Sequence, residues 1–436
     1  MELMTEEKKR YKRTEVGLIP EDWEVKQLKE CISEPLQYGI GAAAVDYNLN
    51  LPRYLRITDI SDEGYLIEEN KASLKVNEYS NYLLENDDIV LARTGASVGK
   101  SYHFNRDSFS GEMVFAGFLI KVKSDAKKLN PIYLKYFLKS DPYWHWVKVN
   151  SMRSGQPGIN SQEYSSLKIP LPPTLEEQQA IASALSDVDE LIRSLDGLIQ
   201  KKQAIKKGAM QQLLTPNKSG QASKKRLPGF DGEWEKISLK QLTDRSFELF
   251  NDGDWVESDH IIDQGIRLLQ TGNVGVGKFK ESRNKKYINE ESFKKLNCKE
   301  VKVGDLLICR LADPPGRACI VPDLKEEKMI TSVDVSILRP KEDEVDKHFL
   351  LQVFSTTEWF DEVNEKCGGT TRTRISRSAL GNIELSLPSY EEQKAIGTIF
   401  KDMDLELQTL RQKREKYVQI KQGMMQELLT GRVRLV

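Results

Sequence analysis

Two short segments are similar to phosphate-binding loops, which hold a nucleotide triphosphate and its magnesium ion. Residues 95–101 read Gly-Ala-Ser-Val-Gly-Lys-Ser, but three residues separate the glycines where such a loop has four. Residues 272–279 have the required spacing, but Phe279 cannot supply the hydroxyl group that binds magnesium. Both segments are therefore interpreted as turns that follow strands.

Two further segments are similar to sites for chemistry on DNA. Residues 313–316 read Asp-Pro-Pro-Gly, as in loops that hold a flipped adenine, but Gly316 has no ring to stack on a base. Asp323, Glu326 and Lys328 imitate a nuclease metal site, but they lie in one short charged turn. No cysteine or acid stands at ligand spacing from the four histidines, His103, His145, His260 and His348. We therefore predict no catalytic residue and no metal site.

Cationic loops with glycine and hydroxyl residues fit DNA binding better. Arginine can bond guanine with two N–H groups, glutamine can bond adenine, and Lys, Ser and Thr can hold phosphates. A single arginine fits a solvated surface equally well, but such loops recur at matching places in two parts of the chain. The candidate DNA-binding residues are Arg93, Thr94, Ser97, Lys100, Arg153, Ser154, Gln156, Arg310, Arg317, Thr370, Thr371, Arg372, Arg374 and Arg377.

The elements that must position these loops include one segment that occurs twice, at residues 175–215 and 390–430. Both copies carry Glu-Glu-Gln, Asp-x-Asp and Leu-Leu-Thr, always 215 positions apart (393 − 178, 402 − 187, 430 − 215). Neither copy has therefore gained or lost a residue between these points. A repeat of this length marks two structural units, and its constant length suggests that the distance between its ends matters.

Each repeated segment is predicted to form a long helix. Apolar residues recur at alternating spacings of four and three, the pattern of a coiled-coil seam. In the first copy they are Ile181, Leu185, Val188, Ile192, Leu195 and Ile199. Thr174 with Glu177, and Ser389 with Glu392, predict a capping box at each helix start. About 40 helical residues span roughly 60 Å.

The chain therefore alternates between globular domains and helices. We expect a first domain at 1–172, a helix at 173–215, a linker at 216–226, a second domain at 227–387, and a helix with a tail at 388–436. The predicted fold class is α+β: two mixed α/β domains in tandem, separated by two long helices that pair as an antiparallel coiled coil with pseudo-two-fold symmetry. The short linker favours the antiparallel arrangement.

Composition narrows the remaining possibilities. The chain has 436 residues, 30% charged residues and a net charge of −1, so a DNA-binding face must be local and balanced by acidic surface. No run of about 18 apolar residues is present, and the first residues are polar, so we expect neither a membrane span nor a signal sequence. Five cysteines without a CxxC pair indicate free thiols in the reducing cytoplasm.

The whole pattern resembles the specificity (S) subunit of Type I restriction–modification enzymes. The resemblance covers nearly the whole chain: the opening at 17–25, a Leu-Pro entry and Glu-Glu-Gln at each helix, the Leu-Leu-Thr exits and the closing Thr-Gly-Arg at 430–432. It implies two target-recognition domains that bind a split, asymmetric double-stranded DNA sequence. The unlike loops, Gly-Gln-Pro-Gly-Ile-Asn at 155–160 and Thr-Thr-Arg-Thr-Arg at 370–374, would read its two unlike halves.

The resemblance also implies partners and a division of labour. Two methyltransferase (M) subunits with S-adenosylmethionine would dock on the helical regions, and two restriction (R) subunits with ATP and magnesium could join them. This chain would bind no cofactor and catalyse no reaction. The candidate partner-binding residues on the helices are Glu177, Gln178, Asp187, Glu392, Gln393 and Asp402.

Two other functions stay open at this point. The first is a stand-alone nuclease or NTPase with an unrecognised site, which metal- or ATP-dependent turnover by the purified chain would reveal. The second is a coiled-coil scaffold that binds only protein, which would show no salt-dependent affinity for DNA.

Overall fold

The computed structural model describes residues 10–109, 111–215, 223–243, 250–311, 314–368 and 373–435. The chain divides into two compact units. Unit 1 comprises Met1–Asp196 and Lys413–Val436, and unit 2 comprises Gly197–Gln412. Each unit therefore combines one globular domain with parts of both long helices.

The domain of unit 1 is built from short strands followed by helices. Its strands are β1 (Tyr11–Thr14), β2 (Gly17–Pro20), β3 (Glu24–Gln27), β4 (Gln37–Tyr38), β5 (Ala44–Asp46), β6 (Arg53–Leu55), β7 (Ala72–Leu74), β8 (Ile89–Ala92), β9 (Ser101–His103), β10 (Met113–Phe115), β11 (Leu119–Val122) and β12 (Lys168–Leu171). Its short helices are α1 (Pro131–Phe137), α2 (Asp141–Asn150) and α3 (Ser161–Ser165).

Two four-stranded sheets form the centre of this domain. One has the order β4-β11-β8-β9, and all its neighbouring strands are antiparallel. The other has the order β10-β6-β7-β5, in which β10 and β6 run parallel. Strands β8 and β11 are apolar at nearly every position and wholly buried, as expected for strands covered on both faces. Strand β12 pairs with β3 and leads directly into the first long helix.

The first long helix is α4 (Leu175–Leu213), and the second domain follows it. The strands of that domain are β13 (Glu235–Ser238), β14 (Phe250–Asp252), β15 (Ile266–Leu269), β16 (Lys286–Ile288), β17 (Leu306–Cys309), β18 (Ala318–Ile320), β19 (Met329–Thr331), β20 (Val335–Leu338) and β21 (Glu384–Leu387). Its helices are α5 (Glu290–Lys295), α6 (Lys347–Val353), α7 (Thr357–Glu365) and α8 (Arg377–Gly381), and the second long helix is α9 (Tyr390–Leu428).

The two domains repeat the same topology. The sheet β14-β20-β17-β18 of unit 2 corresponds to β4-β11-β8-β9 of unit 1, and the pair β13-β21 corresponds to β3-β12. Gly39 and Gly253 occupy equivalent points after β4 and β14. A Cβ atom on either glycine would lie 2.3 Å from a backbone oxygen, so only glycine fits there. The two domains therefore share their strand order and these tight contacts.

Parts of the two long helices pair antiparallel within unit 1. Asp189 of α4 bonds Lys421 of α9 at 2.5 Å, and Asp196 bonds Arg414 at 2.9 Å. The partner number falls as the α4 number rises, which defines the antiparallel direction. Ile181 and Leu185 of the expected seam are fully buried in the core of the unit.

Unit 2 has an equivalent helix pair. Lys206 of α4 bonds Asp404 of α9 at 2.6 Å, and Lys202 bonds Glu406 at 2.7 Å. Asp404 lies 215 positions after Asp189, so the second acid of each Asp-x-Asp motif holds a lysine of the other helix. The predicted fold class is confirmed: mixed α/β domains in tandem with long, antiparallel-paired helices.

The structure corrects the prediction that the Glu-Glu-Gln motifs form a surface for partner subunits. Glu177 and Glu392 are completely buried, and each forms an ion pair with an arginine of its own unit, Arg434 and Arg226 respectively. One Glu177–Arg434 hydrogen bond measures 2.6 Å, and one Glu392–Arg226 bond measures 2.7 Å. We call these two pairs the clasps.

The glutamine of each motif is buried as well. The Gln178 side chain accepts from the Asn130 N–H at 2.9 Å, and the Gln393 side chain accepts from the Asp346 N–H at 3.0 Å. Because their polar atoms bond within their own unit, neither glutamines nor glutamates can form the predicted surface for a partner. Asp187 and Asp402 are exposed.

The helix caps differ in part from the expected capping boxes. The Thr174 hydroxyl accepts from the Glu177 N–H at 3.2 Å, as predicted. The Glu177 carboxylate, however, bonds Arg434 and does not return to the backbone of the helix start. A charged partner satisfies this buried carboxylate better than one backbone N–H group can.

All five cysteines are free thiols, as the sequence indicated, and four of them are buried. No group of three or more His, Cys, Asp or Glu residues could hold a metal ion within the described ranges.

Candidate nucleic-acid interface

In unit 1 the two predicted cationic loops lie against each other. The loop after β8 continues into a single 3-10 turn, Gly95–Ser97, and meets the loop that joins α2 to α3. Thr94 and Gly158 form an isolated bridge, and the Gly95 N–H donates to the Pro157 oxygen at 2.9 Å. Gly95 has φ +71°, and a Cβ there would lie 2.8 Å from the Gln156 amide nitrogen. Glycine therefore allows the two loops to approach closely.

Arg93 lies where these two loops meet, a place that we call the corner of unit 1. Its N–H donates to the Phe118 oxygen at 3.0 Å, and its carbonyl accepts from the Ile159 N–H at 2.9 Å. Its guanidinium carbon lies 4.7 Å from the centre of the Tyr38 ring, a cation–π distance. The backbone is thus fixed on both sides, and the guanidinium rests on an aromatic face.

The tyrosine beneath Arg93 is itself anchored. Its hydroxyl accepts from the Ser161 N–H at 3.0 Å. Burial alone would raise the pKa of Tyr38, but the Ser161 bonds and the Arg93 charge bring it below the usual value. The lowered pKa of Tyr38 thus reflects both its anchoring by Ser161 and the nearby Arg93 charge.

The other predicted residues of the first loop have different roles. Lys100 forms an ion pair with Asp62 at 2.7 Å. Thr94 and Ser97 are half-buried beside Arg93. The segment at 95–101 that is similar to a phosphate-binding loop is a turn between β8 and β9, as expected, and Lys100 is held by an acid of the same domain.

In the second loop, the Arg153 side chain bonds residues on either side of it in the sequence. Its guanidinium donates to Glu163 and to the backbone oxygens of Asn150 and Met152. Ser154 and Gln156 are exposed, and the Gln156 amide lies against Gly95. Of the residues predicted in unit 1, Arg93 is half-buried with a fixed backbone, and Gln156 is an exposed amide beside it.

Arg310 and Arg317 of unit 2 are corrections to the predicted DNA-binding set. Arg310 is 3% exposed, forms an ion pair with Asp252 at 3.0 Å and donates to the Ile375 and Val333 oxygens. Burial lowers the pKa of Arg310, and the Asp252 charge only partly offsets this. A buried guanidinium with these partners cannot reach a base or phosphate.

Arg317 is similarly enclosed. It is 8% exposed and donates to four backbone oxygens, those of Val274, Leu311, Pro314 and Thr271. Its role is to hold the turn between β17 and β18 against its neighbours. Arg310 and Arg317 are therefore left out of the interface proposed below.

The last loop of unit 2 is described in part. Thr370, Thr371 and Arg372 lie outside the described residues. Arg374 is half exposed and pairs with Asp334 at 2.8 Å, and Arg377 donates to the Asn251 side chain at 2.6 Å. Arg374 forms an isolated β-bridge with Leu311, the residue after Arg310. Arg374 and Arg377 therefore lie on the same edge of the domain as Arg310.

Four residues that decide the character of these corners carry no obvious sequence signal. Tyr38 and Phe118 flank Arg93 in unit 1, whereas Asp252 and Asp334 stand at the equivalent positions in unit 2. Phe118 is 59% exposed, and Trp255, three residues after Asp252, is 69% exposed. Exposed aromatic residues at the ends of strands would have been the signal to follow.

The other motifs that imitate catalytic sites have structural explanations. Asp323 pairs with Lys325 at 2.5 Å in an exposed turn, and Glu326 instead accepts from the Tyr287 hydroxyl at 3.1 Å. The Gly316 carbonyl accepts from the buried Trp359 ring nitrogen at 2.8 Å. These residues hold turns of the second domain. Asp313 lies outside the described residues.

The corners and the repeated framework match a known class of protein. A sequence profile described as the Type I restriction modification DNA specificity domain matches twice, at residues 20–206 and 233–419. The chain therefore belongs to the family of Type I restriction–modification specificity subunits, which are non-catalytic subunits that recognise DNA.

Individual relatives agree with this assignment. The specificity subunit of the type I restriction enzyme MjaVIII from Methanocaldococcus jannaschii is 28% identical over 422 residues, covering 96% of this chain and 94% of that protein. The crystal structure of the S subunit of a type I system from M. genitalium has a TM-score of 0.59 at 15% identity, covering 93% of this chain and 96% of that one.

A second solved chain shares the fold. It comes from a structure concerned with complex assembly and conformational transition of the type I system, with a TM-score of 0.54 at 16% identity and coverage of 95% and 99%. None of the helices within the described part of this chain is long and apolar enough to cross a membrane.

Proposed function

We propose that this subunit recognises a bipartite, asymmetric DNA sequence, with one half read by each unit. The observation that carries the proposal is the pair of equivalent corners: the same strand order places an arginine in both, but Tyr38 holds it in one and Asp252 in the other. Equivalent frameworks with unlike side chains would bind unlike base sequences.

Within each unit, the proposed DNA contacts divide by chemistry. Arg93 and Gln156 would contact base edges in unit 1, with Thr94, Ser97, Lys100, Arg153 and Ser154 nearer to phosphates. In unit 2 the proposed contacts are Arg374, Arg377 and the loop residues Thr370, Thr371 and Arg372. The family's DNA recognition and the exposure of Arg153, Gln156 and Arg374 support this division.

The methylated motif in genomic DNA tests the proposal directly. The full complex is expressed in a host without other modification systems, and modification-sensitive sequencing then reads the methylated sites. We expect a split motif with two different halves and a constant gap. A continuous motif, or methylation that does not depend on this subunit, would contradict the proposal.

We also propose that the two long helices set the gap between the halves. Both helices run 39 residues without interruption, and the two copies have equal length. Insertion of about four residues, one helical turn, after Gly197 and after Gln412 should change the gap or abolish methylation. The matched control is Gly197→Ala, because a Cβ there meets no atom within 4 Å. An unchanged gap after the insertion would exclude this role.

Two M subunits are the proposed partners, and R subunits are proposed to join them. Asp187 and Asp402 are exposed at equivalent points of α4 and α9, and Leu405 of α9 is 62% exposed. S-adenosylmethionine, ATP and magnesium would belong to these partners and not to this chain.

Charge reversal tests the docking surface. Asp187→Lys together with Asp402→Lys should reduce co-purification with the M subunit by tenfold or more if these acids lie in the contact. Asp343→Lys, an exposed acid of the loop before α6, is the control. Equal recovery of the M subunit with the double variant and the control would place the partner elsewhere.

A further inference from the structure

The Arg93 corner of unit 1 has donors that its own domain leaves unused. A guanidinium has five N–H donors. The Arg93 Nη1 lies 3.5 Å from the Gly117 oxygen, at the limit of a hydrogen bond. Its Nε is buried and has no hydrogen-bond partner among the described residues. The buried Nε cannot reach a ligand, but the N–H groups of Nη1 and Nη2 on this half-buried side chain form no stronger bond among the described residues and remain for one.

The guanidinium is nevertheless held in a defined plane. The Tyr38 ring supports one face at 4.7 Å, and the Ser161 N–H anchors the Tyr38 hydroxyl. The Arg93 backbone is bonded on both sides, to Phe118 and to Ile159. A side chain positioned in this way loses less conformational entropy on binding than a mobile surface arginine does.

The groups around Arg93 suit a base edge better than a phosphate alone. The Phe118 ring is 59% exposed next to it, and the exposed Gln156 amide lies against Gly95. The acid near Tyr38 is Glu163, which is already bonded by Arg153 and by the Asn160 N–H. The corner thus offers a guanidinium, an amide and an apolar ring, and no carboxylate of the described residues pairs with the guanidinium.

Unit 2 shows what the same corner looks like when it is closed. Arg310 is the equivalent arginine, because its N–H donates to Asp334 and its carbonyl accepts from Ile375, as Arg93 does with Phe118 and Ile159. Asp252 replaces Tyr38 and pairs with the Arg310 side chain, which is 4% exposed. Asp334 stands at the position equivalent to Phe118 and pairs with Arg374 at 2.8 Å.

We propose that Arg93 reads a guanine base in the half-site of unit 1, with Tyr38 holding the plane of its guanidinium, whereas the equivalent Arg310 reads no base. The two parallel N–H groups of arginine match the O6 and N7 acceptors that guanine presents in the major groove. This inference rests on the proposed recognition of a split sequence by the two units.

Two substitutions separate the guanidinium fork from its charge and from its support. Arg93→Lys keeps the charge but loses the fork. Tyr38→Asp keeps Arg93 and introduces the carboxylate found in unit 2. Arg106→Lys makes the same change at an exposed cation elsewhere in unit 1 and is the matched control.

The purified complex with M subunits is titrated with duplexes in which each base pair of the methylated motif is exchanged in turn. For Arg93→Lys and for Tyr38→Asp we expect discrimination at one G·C pair of one half-site to fall about 5- to 150-fold, corresponding to about 1–3 kcal/mol. Discrimination in the other half-site should be unchanged, and the Arg106→Lys control should resemble the wild type.

The outcomes distinguish this inference from the proposed function. A uniform loss of affinity for all sequences with Arg93→Lys would identify a phosphate contact and overturn the guanine assignment. Retained discrimination with Tyr38→Asp, in a complex with an unchanged melting temperature, would overturn the role of Tyr38. If the wild-type motif is split but no G·C pair depends on Arg93, only this inference fails; if the motif is not split, the proposed function fails.

Discussion

Unit 1 and unit 2 hold an arginine at the same point of the same sheet, and they surround it with opposite chemistry. In unit 1 a tyrosine and an exposed phenylalanine leave the Arg93 donors available. In unit 2 two aspartates pair with Arg310 and with its neighbour Arg374. One residue on an edge strand, Tyr38 or Asp252, thus decides whether the arginine is a surface group or part of the core.

The clasps show the reverse behaviour, because they keep the same chemistry in both units. A buried glutamate of each Glu-Glu-Gln motif pairs with an arginine that follows a long helix. In unit 2 the arginine is Arg226, after α4, and in unit 1 it is Arg434, after α9. The clasp is therefore a polar feature of the core that both units share, whereas the corners differ.

The largest expected effect comes from breaking the clasps. Arg226→Ala should destabilise unit 2, and Arg434→Ala should destabilise unit 1, each by about 3–5 kcal/mol, because a buried carboxylate loses its partner. Hydrogen exchange resolved by peptide, together with thermal unfolding, locates the loss. Lys26→Ala, at the exposed pair with Glu24, is the control and should have little effect. Loss of protection in the wrong unit would refute the assignment of the clasps.

The next effect separates the two corner arginines. Arg310→Ala should cost about 2–4 kcal/mol, because Asp252 and two backbone oxygens lose a buried charged partner. Arg93→Ala should cost less than about 1 kcal/mol, because its contacts are one cation–π pair and one weak hydrogen bond. Chemical denaturation of each variant measures the difference, and equal costs would show that the corners are not distinct.

A pH dependence should distinguish unit 1 from unit 2. Burial, together with the nearby Lys421 and Lys135, lowers the pKa of Lys139 from 10.5 to about 7. Between these values the unfolded chain binds more protons than the folded one, so the stability of unit 1 rises with pH, by at most about 1.4 kcal/mol per pH unit. Phe354, which does not titrate, stands 215 positions after Lys139, at the equivalent point of unit 2.

Lys139→Met should remove this slope from unit 1 and leave unit 2 unchanged. Hydrogen exchange at pH 7 and pH 9, corrected for the intrinsic pH dependence of exchange, measures how the stability of each unit changes with pH. A slope that persists in the variant would assign the effect to another group.

The smallest expected effect concerns the exposed ion pairs between the long helices. Glu406→Ala and Asp196→Ala remove partners that are 47% and 42% exposed, and each should cost less than about 1 kcal/mol. Asp189→Ala removes a partner from the buried pair with Lys421 and should cost more. Similar costs at exposed and buried pairs would show that burial does not rank these contacts.

The repeat allowed the long helices and their direction to be predicted, but not the role of every repeated residue. A residue that recurs in both copies meets the same constraint twice, and a buried ion pair is such a constraint, just as a docking surface is. Glu177 and Glu392 were therefore assigned to partners, although each binds an arginine of its own unit. The pairing joins residues 257 and 166 positions apart, which no local pattern reveals.

The candidate site was predictable to a similar extent. Arg93 and Arg310 both follow a short apolar strand and look alike in the sequence. The groups that distinguish them, Tyr38 and Asp252, stand more than 50 positions earlier (93 − 38, 310 − 252) on strands whose pairing brings them alongside. The sequence gives the charge and the hydrogen-bonding groups of each side chain, but it does not show which distant residue will bond them.

Periodic apolar residues and an exact repeat are local signals, and they were sufficient for the helices, the two domains and the family. The fate of each polar side chain depends on which distant group shares its low-dielectric surroundings, since a buried charge must find a partner. That choice was made only when β4 came to lie beside β11, and β14 beside β20. The folded chain alone therefore decided that Arg93 stays open to a ligand and that Arg310 does not.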